Sequence, residues 1–409
     1  DNSNSLGFSA STTFAPKGGG PFPAFKLSDG PDSLVRPLGP QGGPSAFRGQ
    51  SVYYQDRNAP TPYLQQWNFT LQRALPGRWV VSASYAGNKG TKLFGANYNL
   101  NQMDPAHFAL GLQLQDRVPN PFYGQIRQGP LSGSTITLGQ WLRPYPDYLN
   151  VMTFAAHGAS SIYHSFQLTV ERRFHQGLSA LISYTNSKLI NDSLSNAGGN
   201  AATIGEFRVG RYNRRLERAI DQNDVTHRLV ASAVWELPFG PGKPWGSSLR
   251  GVSAHLLSGW QVNSIVTIES GVPLMVRGAN NFTGINFPDV IRDPTLPRSE
   301  RTVQRWFDTE AFRNPAPFTI GNAPRTLPNT RGPGMFDVAL SVFKNFRLTE
   351  STQLEFRAEA FNALNHVNYN NPNTSFSPNQ AGVNTNALFG RITSAMDARR
   401  IQLGLRLTF

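Results

Sequence analysis

The sequence predicts an all-β protein, an antiparallel transmembrane β-barrel with short turns on one side and long loops on the other. Three observations predict it: runs with an apolar residue at every second position, turn residues joining those runs in pairs, and a regular alternation of short and long links. The last run shows the pattern plainly. In "RRIQLGLRLTF", Ile401, Leu403, Leu405, Leu407 and Phe409 fall on one face of a strand, and Gln402, Gly404, Arg406 and Thr408 on the other.

Taken in order, residues 1–61 hold a candidate first strand, "SLGFSASTTF", and a long Gly/Pro-rich loop; residues 62–409 hold the barrel portion. The first hairpin, near 62–88, alternates Trp67, Phe69 and Leu71 before "PG" and Trp79, Val81, Ala83 and Tyr85 after it. The second, near 161–188, sets Phe166, Leu168, Val170 and Phe174 against Leu178, Ala180, Ile182 and Tyr184 around "HQG". The third, near 225–270, joins Leu229, Ala231, Ala233, Trp235, Leu237 and Phe239 to Trp260, Val262, Val266 and Ile268 through a longer link. The fourth, near 335–364, matches Val338, Leu340, Val342 and Phe346 with Leu354, Phe356, Ala358 and Ala360 across "RLTE", and a last strand covers 398–409. That makes nine strands, with "SLGFSASTTF" a possible tenth. The connections 14–61, 89–160, 189–224, 271–334 and 365–397 are long and irregular. Compact soluble domains rarely tolerate several such loops, whereas an outer-membrane barrel carries them on its extracellular side. With the last strand running inwards, every short link falls on the periplasmic side.

The chain is 39% hydrophobic with 38 Gly and 30 Pro against 15% charged residues, a balance that favours turns over helices. No run approaches the roughly 18 apolar residues of a transmembrane helix. A net charge of +13 draws the chain to an anionic partner, a phosphate-rich membrane surface or nucleic acid. The basic residues alternate with carboxylates instead of forming a stripe with stacking aromatics, so nucleic acid is not expected. The absence of cysteine removes disulfides, zinc fingers, iron–sulfur sites and thiol nucleophiles together. The opening "DNSNSLGF" carries no Met or signal peptide and reads as a processed chain or an excised piece.

The faces assign roles. Trp79, Phe174, Phe239, Phe346 and Phe409 share the apolar parity beside a short turn or the chain end, as a membrane-interface girdle requires. Arg73, Arg172 and Lys344 lie on the same face, placed to snorkel towards lipid phosphates. Glu355, Arg357 and Glu359 recur on the opposite face, as a lumen-facing wall of ion pairs. In the loops, Phe122, Tyr123, Trp141, Arg143, Tyr145 and Tyr148 combine aromatics with a cation, a set able to grip a sugar ring or an iron chelate or to pack the loop against itself. Seven histidines show no metal-binding spacing, no G-x-S-x-G elbow occurs, and "GPGKPW" lacks the Ser or Thr that a phosphate loop needs after Lys243. Neither an enzyme nor a cofactor or metal is expected.

The segments "PYLQQWNFTLQRALPGRWVVSASYAGNKGTKL", "YHSFQLTVERRFHQGLSALISYTNSKLIND", "DVTHRLVASAVWELPFGPGKPW", "LSGWQVNSIVTIESGVPL", "RGPGMFDVALSVFKNFRLTE" and "FRAEAFNALNHVNY" resemble successive parts of TonB-dependent outer-membrane receptors, the Oar-like group in particular. So do "RWFDTEAF" and the terminal "IQLGLRLTF". The resemblance implies the bacterial outer membrane, a 22-stranded barrel, an N-terminal plug that contacts the TonB complex, and movement of a large solute. It implies outer-membrane lipid and lipopolysaccharide as surroundings, and barrel-assembly machinery that reads the C-terminal strand ending in Phe409. The strand count and the missing plug make the chain resemble the C-terminal part of such a barrel. The alternatives are a passive pore or structural surface barrel, and a secreted soluble β-sandwich that binds carbohydrate.

Overall fold

A computed structural model describes residues 12, 14, 24–31, 34–37, 39, 43, 47–95, 97–154, 156–192, 212–349 and 351–409. Nine long strands form one antiparallel meander: β1 (Tyr63–Leu75), β2 (Trp79–Leu93), β3 (Ala159–His175), β4 (Leu178–Asn191), β5 (His227–Glu236), β6 (Trp260–Glu269), β7 (Met335–Arg347), β8 (Gln353–Phe361) and β9 (Arg400–Thr408). Each pairs with its neighbours in sequence, and Ala219–Ile220 adds a short tenth member beside β4. The candidate strand "SLGFSASTTF" lies outside the described residues apart from Thr12 and Phe14. Among the described residues, no helix is long and apolar enough to cross a membrane.

Short links join β1–β2, β3–β4 and β7–β8, and long ones join β2–β3, β4–β5, β6–β7 and β8–β9. The β1–β2 turn uses Gly77 (φ 76°) and Arg78 (φ 64°), consecutive left-handed residues that reverse the chain between Leu75 and Trp79. Two strand ends differ from the alternation in the sequence. β5 stops at Glu236, so Phe239 sits in the following turn, its ring 5.2 Å from Trp245; Pro238 has no N–H for a further ladder bond. In β3, a register shift between Arg172 and His175 interrupts the alternation and leaves Phe174 without a ladder partner on β4. The β5–β6 link contains a short helix, α1 (Gly251–Leu257).

The chain divides into two compact units. The first comprises the described parts of 1–60, 94–157 and 195–214. Its core is Ile126, Leu131 and Ile136, with Val118, Phe122 and Leu149 packed around them. Val52–Gln55 pairs there in parallel with Val151–Phe154, although sequence reading left both segments as loop.

The second unit holds the sheet together with the connections 271–334 and 362–399. Those connections are not loose. Leu274, Val276, Phe307, Ala311, Phe312, Leu327, Phe376 and Phe389 form a buried cluster, with Phe389 edge-on to Phe307, Phe312 and Phe376 at 5.2–5.8 Å. Gly278 permits the approach of the two segments: its φ is 118°, and a Cβ there would collide with the Phe376 carbonyl oxygen. Gly278→Ala is therefore expected to destabilise this loop cluster by about 1–3 kcal/mol, read as faster amide exchange near Phe376.

Burial is inverted relative to a soluble protein. Among the described residues, the buried apolar set comes from the connections, with Ala159 its only member from the long strands. On interior strands of the sheet, Trp235 is 43% exposed and Ile268 42%.

Candidate functional site

Backbone register turns the alternation of single strands into rows that cross the sheet. Val81, Val170, Ile182, Ala231, Val266 and Val338 are successive partners from β2 to β7. The row beside it, on the opposite face, runs Ser82, Thr169, Ser183, Val230, Thr267 and Asp337. The remaining sheets among the described residues are two-stranded and lie in the connections, too narrow to form the second layer of a sandwich over the apolar rows. The β-sandwich alternative therefore fails. A wide apolar face that has no second sheet to pack on among the described residues is what a hydrocarbon solvent stabilises.

Both ends of that face carry aromatic residues. At the short-turn end, the Arg172 guanidinium lies 5.7 Å from the Trp79 ring, and Lys344 Nζ lies 5.5 Å from Trp260 and 4.8 Å from Phe346. At the long-loop end, the Tyr85 hydroxyl meets His164 Nδ1 at 2.7 Å, and Tyr184 meets His227 Nδ1 at 2.8 Å. These paired rings escaped sequence analysis; the signal was a Tyr and a His in diagonal positions, two residues out of register, on neighbouring strands. On β7, Phe336 and Phe346 mark the two levels. At ~3.4 Å per residue their separation is about 34 Å along the strand, or about 26 Å vertically at a tilt of ~40°, against an apolar band of ~25 Å in outer-membrane barrels.

Residues 1–402 match the family model described as an outer membrane beta barrel domain. The chain belongs to this family. The outer membrane beta barrel domain places the protein in the bacterial outer membrane, with its strands as the spanning elements. A search of curated proteins finds no match. Similar solved structures include the outer membrane transporter YddB from Escherichia coli, with 8% identity, a TM-score of 0.40, and coverage of 88% of this chain and 34% of that one. The ferripyoverdine receptor of Pseudomonas aeruginosa gives 10%, 0.35, 85% and 27% for the same quantities. The FrpB iron transporter from Neisseria meningitidis gives 10%, 0.36, 88% and 33%. The chain spans about a third of the length of these proteins or less.

In this outer membrane beta barrel domain the polar face carries Glu355, Arg357 and Glu359. Arg357 pairs with Glu355 along its own strand and lies 5.0 Å over the Phe343 ring. Glu359 stands opposite Ser341 and Gln402 and forms no ion pair among the described residues. Arg228 and Glu269, cross-strand partners at 2.8 Å, add a pair that sequence analysis missed. The face is not uniformly polar, since Leu181, Val230, Val234 and Ile265 also lie on it.

The six loop residues fall in the first unit. Phe122 and Trp141 come together at 6.3 Å between ring centroids, and Phe122 packs on the Ile126 core. Arg143 donates to the Leu149 carbonyl at 2.7 Å, and burial holds its pKa below the ordinary value. Burial raises the Tyr148 phenol, with the Asp147 charge adding to the effect. The Tyr148 carbonyl accepts from Asn101 and Gln140, a clamp with no sequence signature. Tyr123, Trp141 and Tyr145 stay exposed.

In the second unit, two acidic residues organise the outer loops. Asp224 is buried, accepts from the Leu189 amide at 2.7 Å, and binds Arg331 at 2.6 Å; Arg331 also donates to the Asp224 and Gly271 carbonyls. "DVTHR" thus supplies a loop lock: Asp224 lies in the turn before β5, and His227 turns to Tyr184. Asp308 accepts from Arg292 at 2.7 Å, from Arg305 at 3.1 Å and from the Glu310 amide at 3.1 Å. Burial alone would raise its pKa, but these donors outweigh it and hold the carboxyl below its usual value. The depressed value fixes the sign. The Asp308 contribution is complete above the ordinary carboxylate range and is lost as pH falls through the lower folded value. Asp308→Asn is expected to flatten the acid limb of loop unfolding below about pH 4, measured by pH-dependent proteolysis.

Proposed function

We propose that the chain is the C-terminal part of the barrel of a TonB-dependent outer-membrane transporter, Oar-like in type, for uptake or export of a large solute. It has no enzymatic activity in this reading. One observation carries it: a two-faced sheet, apolar outside and polar inside, whose edge strands β1 and β9 have no further partner among the described residues. Unpaired backbone groups in hydrocarbon cost several kcal/mol each, so the sheet calls for further strands to close a wide barrel. A wide lumen lined by Arg357, Glu355 and the Arg228–Glu269 pair suits passage of a hydrated solute under the control of a plug. The TonB complex engages through that plug, and the barrel-assembly machinery through β9. Exposed Tyr123, Trp141 and Tyr145 supply the solute-contacting aromatics, while Phe122, Arg143 and Tyr148 shape the loop around them.

The intact polypeptide, purified from outer membranes, tests this. It is expected to bind the soluble C-terminal domain of TonB and to show no steady conductance in planar bilayers. A stable open channel without TonB binding would identify a passive pore instead.

A further inference from the structure

We propose that α1, in the periplasmic link between β5 and β6, is an interfacial anchor that inserts Val252, Leu256 and Leu257 into the phospholipid leaflet beside the barrel. The inference rests on the outer-membrane reading of the sheet and adds a membrane contact outside the strands.

The position of α1 follows from Lys344. This residue has the parity of Trp260, Phe356 and Leu405, the apolar outer face, yet it is only 1% exposed. Its ammonium donates to the His255 carbonyl at 2.7 Å and to the Ser258 carbonyl. The C-terminal end of α1 therefore lies over the outer face of the wall, where the sequence alone sent Lys344 to lipid phosphate. A lysine among hydrocarbon needs a fixed acceptor, and the free carbonyls of a helix end supply one.

The last turn is built for a site poor in water. The Ala254 carbonyl accepts from the Ser258 amide and hydroxyl, at 3.0 and 2.6 Å, and the Leu256 carbonyl accepts from Trp260 Nε1 at 2.8 Å. Side chains thus take up groups that water would satisfy at an ordinary surface helix. Beyond them Val252 is 75% exposed and Leu256 57%, and Leu257 is exposed beside them. Exposed Trp245 and Arg250 belong to the same link, the aromatic and cationic residues that favour a headgroup level. This apolar surface continues the apolar face of the sheet, and that continuity assigns lipid as the occupant.

The cysteine-free chain allows a direct test. Val252→Cys, Leu256→Cys, Ile182→Cys and Gln380→Cys each receive an environment-sensitive fluorophore in the intact polypeptide of the closed barrel, with any cysteine outside this chain replaced by serine. That polypeptide is folded into vesicles of phosphatidylethanolamine and phosphatidylglycerol with brominated acyl chains, and retained folding is checked by heat-modifiable migration. The helix sites are expected to emit at shorter wavelength and to lose most of their intensity to bromolipid, as Ile182→Cys does, while Gln380→Cys keeps its intensity. Helix sites that emit as in water and are quenched by iodide, with Ile182→Cys still quenched by bromolipid, would overturn the anchor alone. If Ile182→Cys also stays aqueous, the membrane reading of the sheet fails, and the anchor with it.

Discussion

Val266→Arg is expected to lower the unfolding free energy in lipid vesicles by about 2–4 kcal/mol, the cost of an Arg near the middle of a lipid-facing wall. Val266 lies between Ala231 and Val338 in the apolar row, remote from both aromatic levels, so a guanidinium there has no headgroup or carbonyl within easy reach. Thr267→Arg moves the same charge by one residue to the other face, beside Val230 and Asp337. That change is expected to stay within about 0.5 kcal/mol of the parent, because a wet surface solvates the group. Urea titration of both variants in the same vesicles measures the difference.

Asp224→Ala is expected to cost about 3–5 kcal/mol, since it leaves the Arg331 guanidinium largely buried without its carboxylate. The change removes the 2.6 Å ion pair and the acceptor for the Leu189 amide together. The same residue ties the end of β4, the start of β5 and the 271–334 connection, so the loss is expected to show first as proteolysis of that connection, with the strands still folded. Asp224→Asn keeps the hydrogen bonds in part and is expected to fall between the two.

Much of the wall was legible because a period of two is a local signal. Ile401, Leu403, Leu405 and Leu407 need no tertiary information to share a face, and the register pairs them with Ala360, Ala358, Phe356 and Leu354. The signal ended where the chain stops obeying the period. The irregularity before His175 takes Phe174 out of the regular ladder, and Phe239 falls in a turn after Pro238. Lys344 was misplaced for a different reason: its acceptors come from a helix nearly ninety residues away in sequence. The outer connections were the least legible. Their Phe307, Phe312, Phe376 and Phe389 cluster obeys no period, and Asp224–Arg331 joins residues with no local pattern between them. Among the loop candidates, Phe122 and Trp141 meet because the first unit folds back on itself, which composition alone does not reveal.

The most direct measurement is a nitroxide scan along β6, with single cysteines from Gln261 to Ile268 in the otherwise cysteine-free chain, in lipid vesicles. Oxygen accessibility is predicted to peak at Val262, Val266 and Ile268, and accessibility to a water-soluble nickel chelate at Gln261, Asn263, Ile265 and Thr267. Uniform values along the strand, or nickel peaks at Val262 and Val266, would contradict a wall with lipid on one side and water on the other.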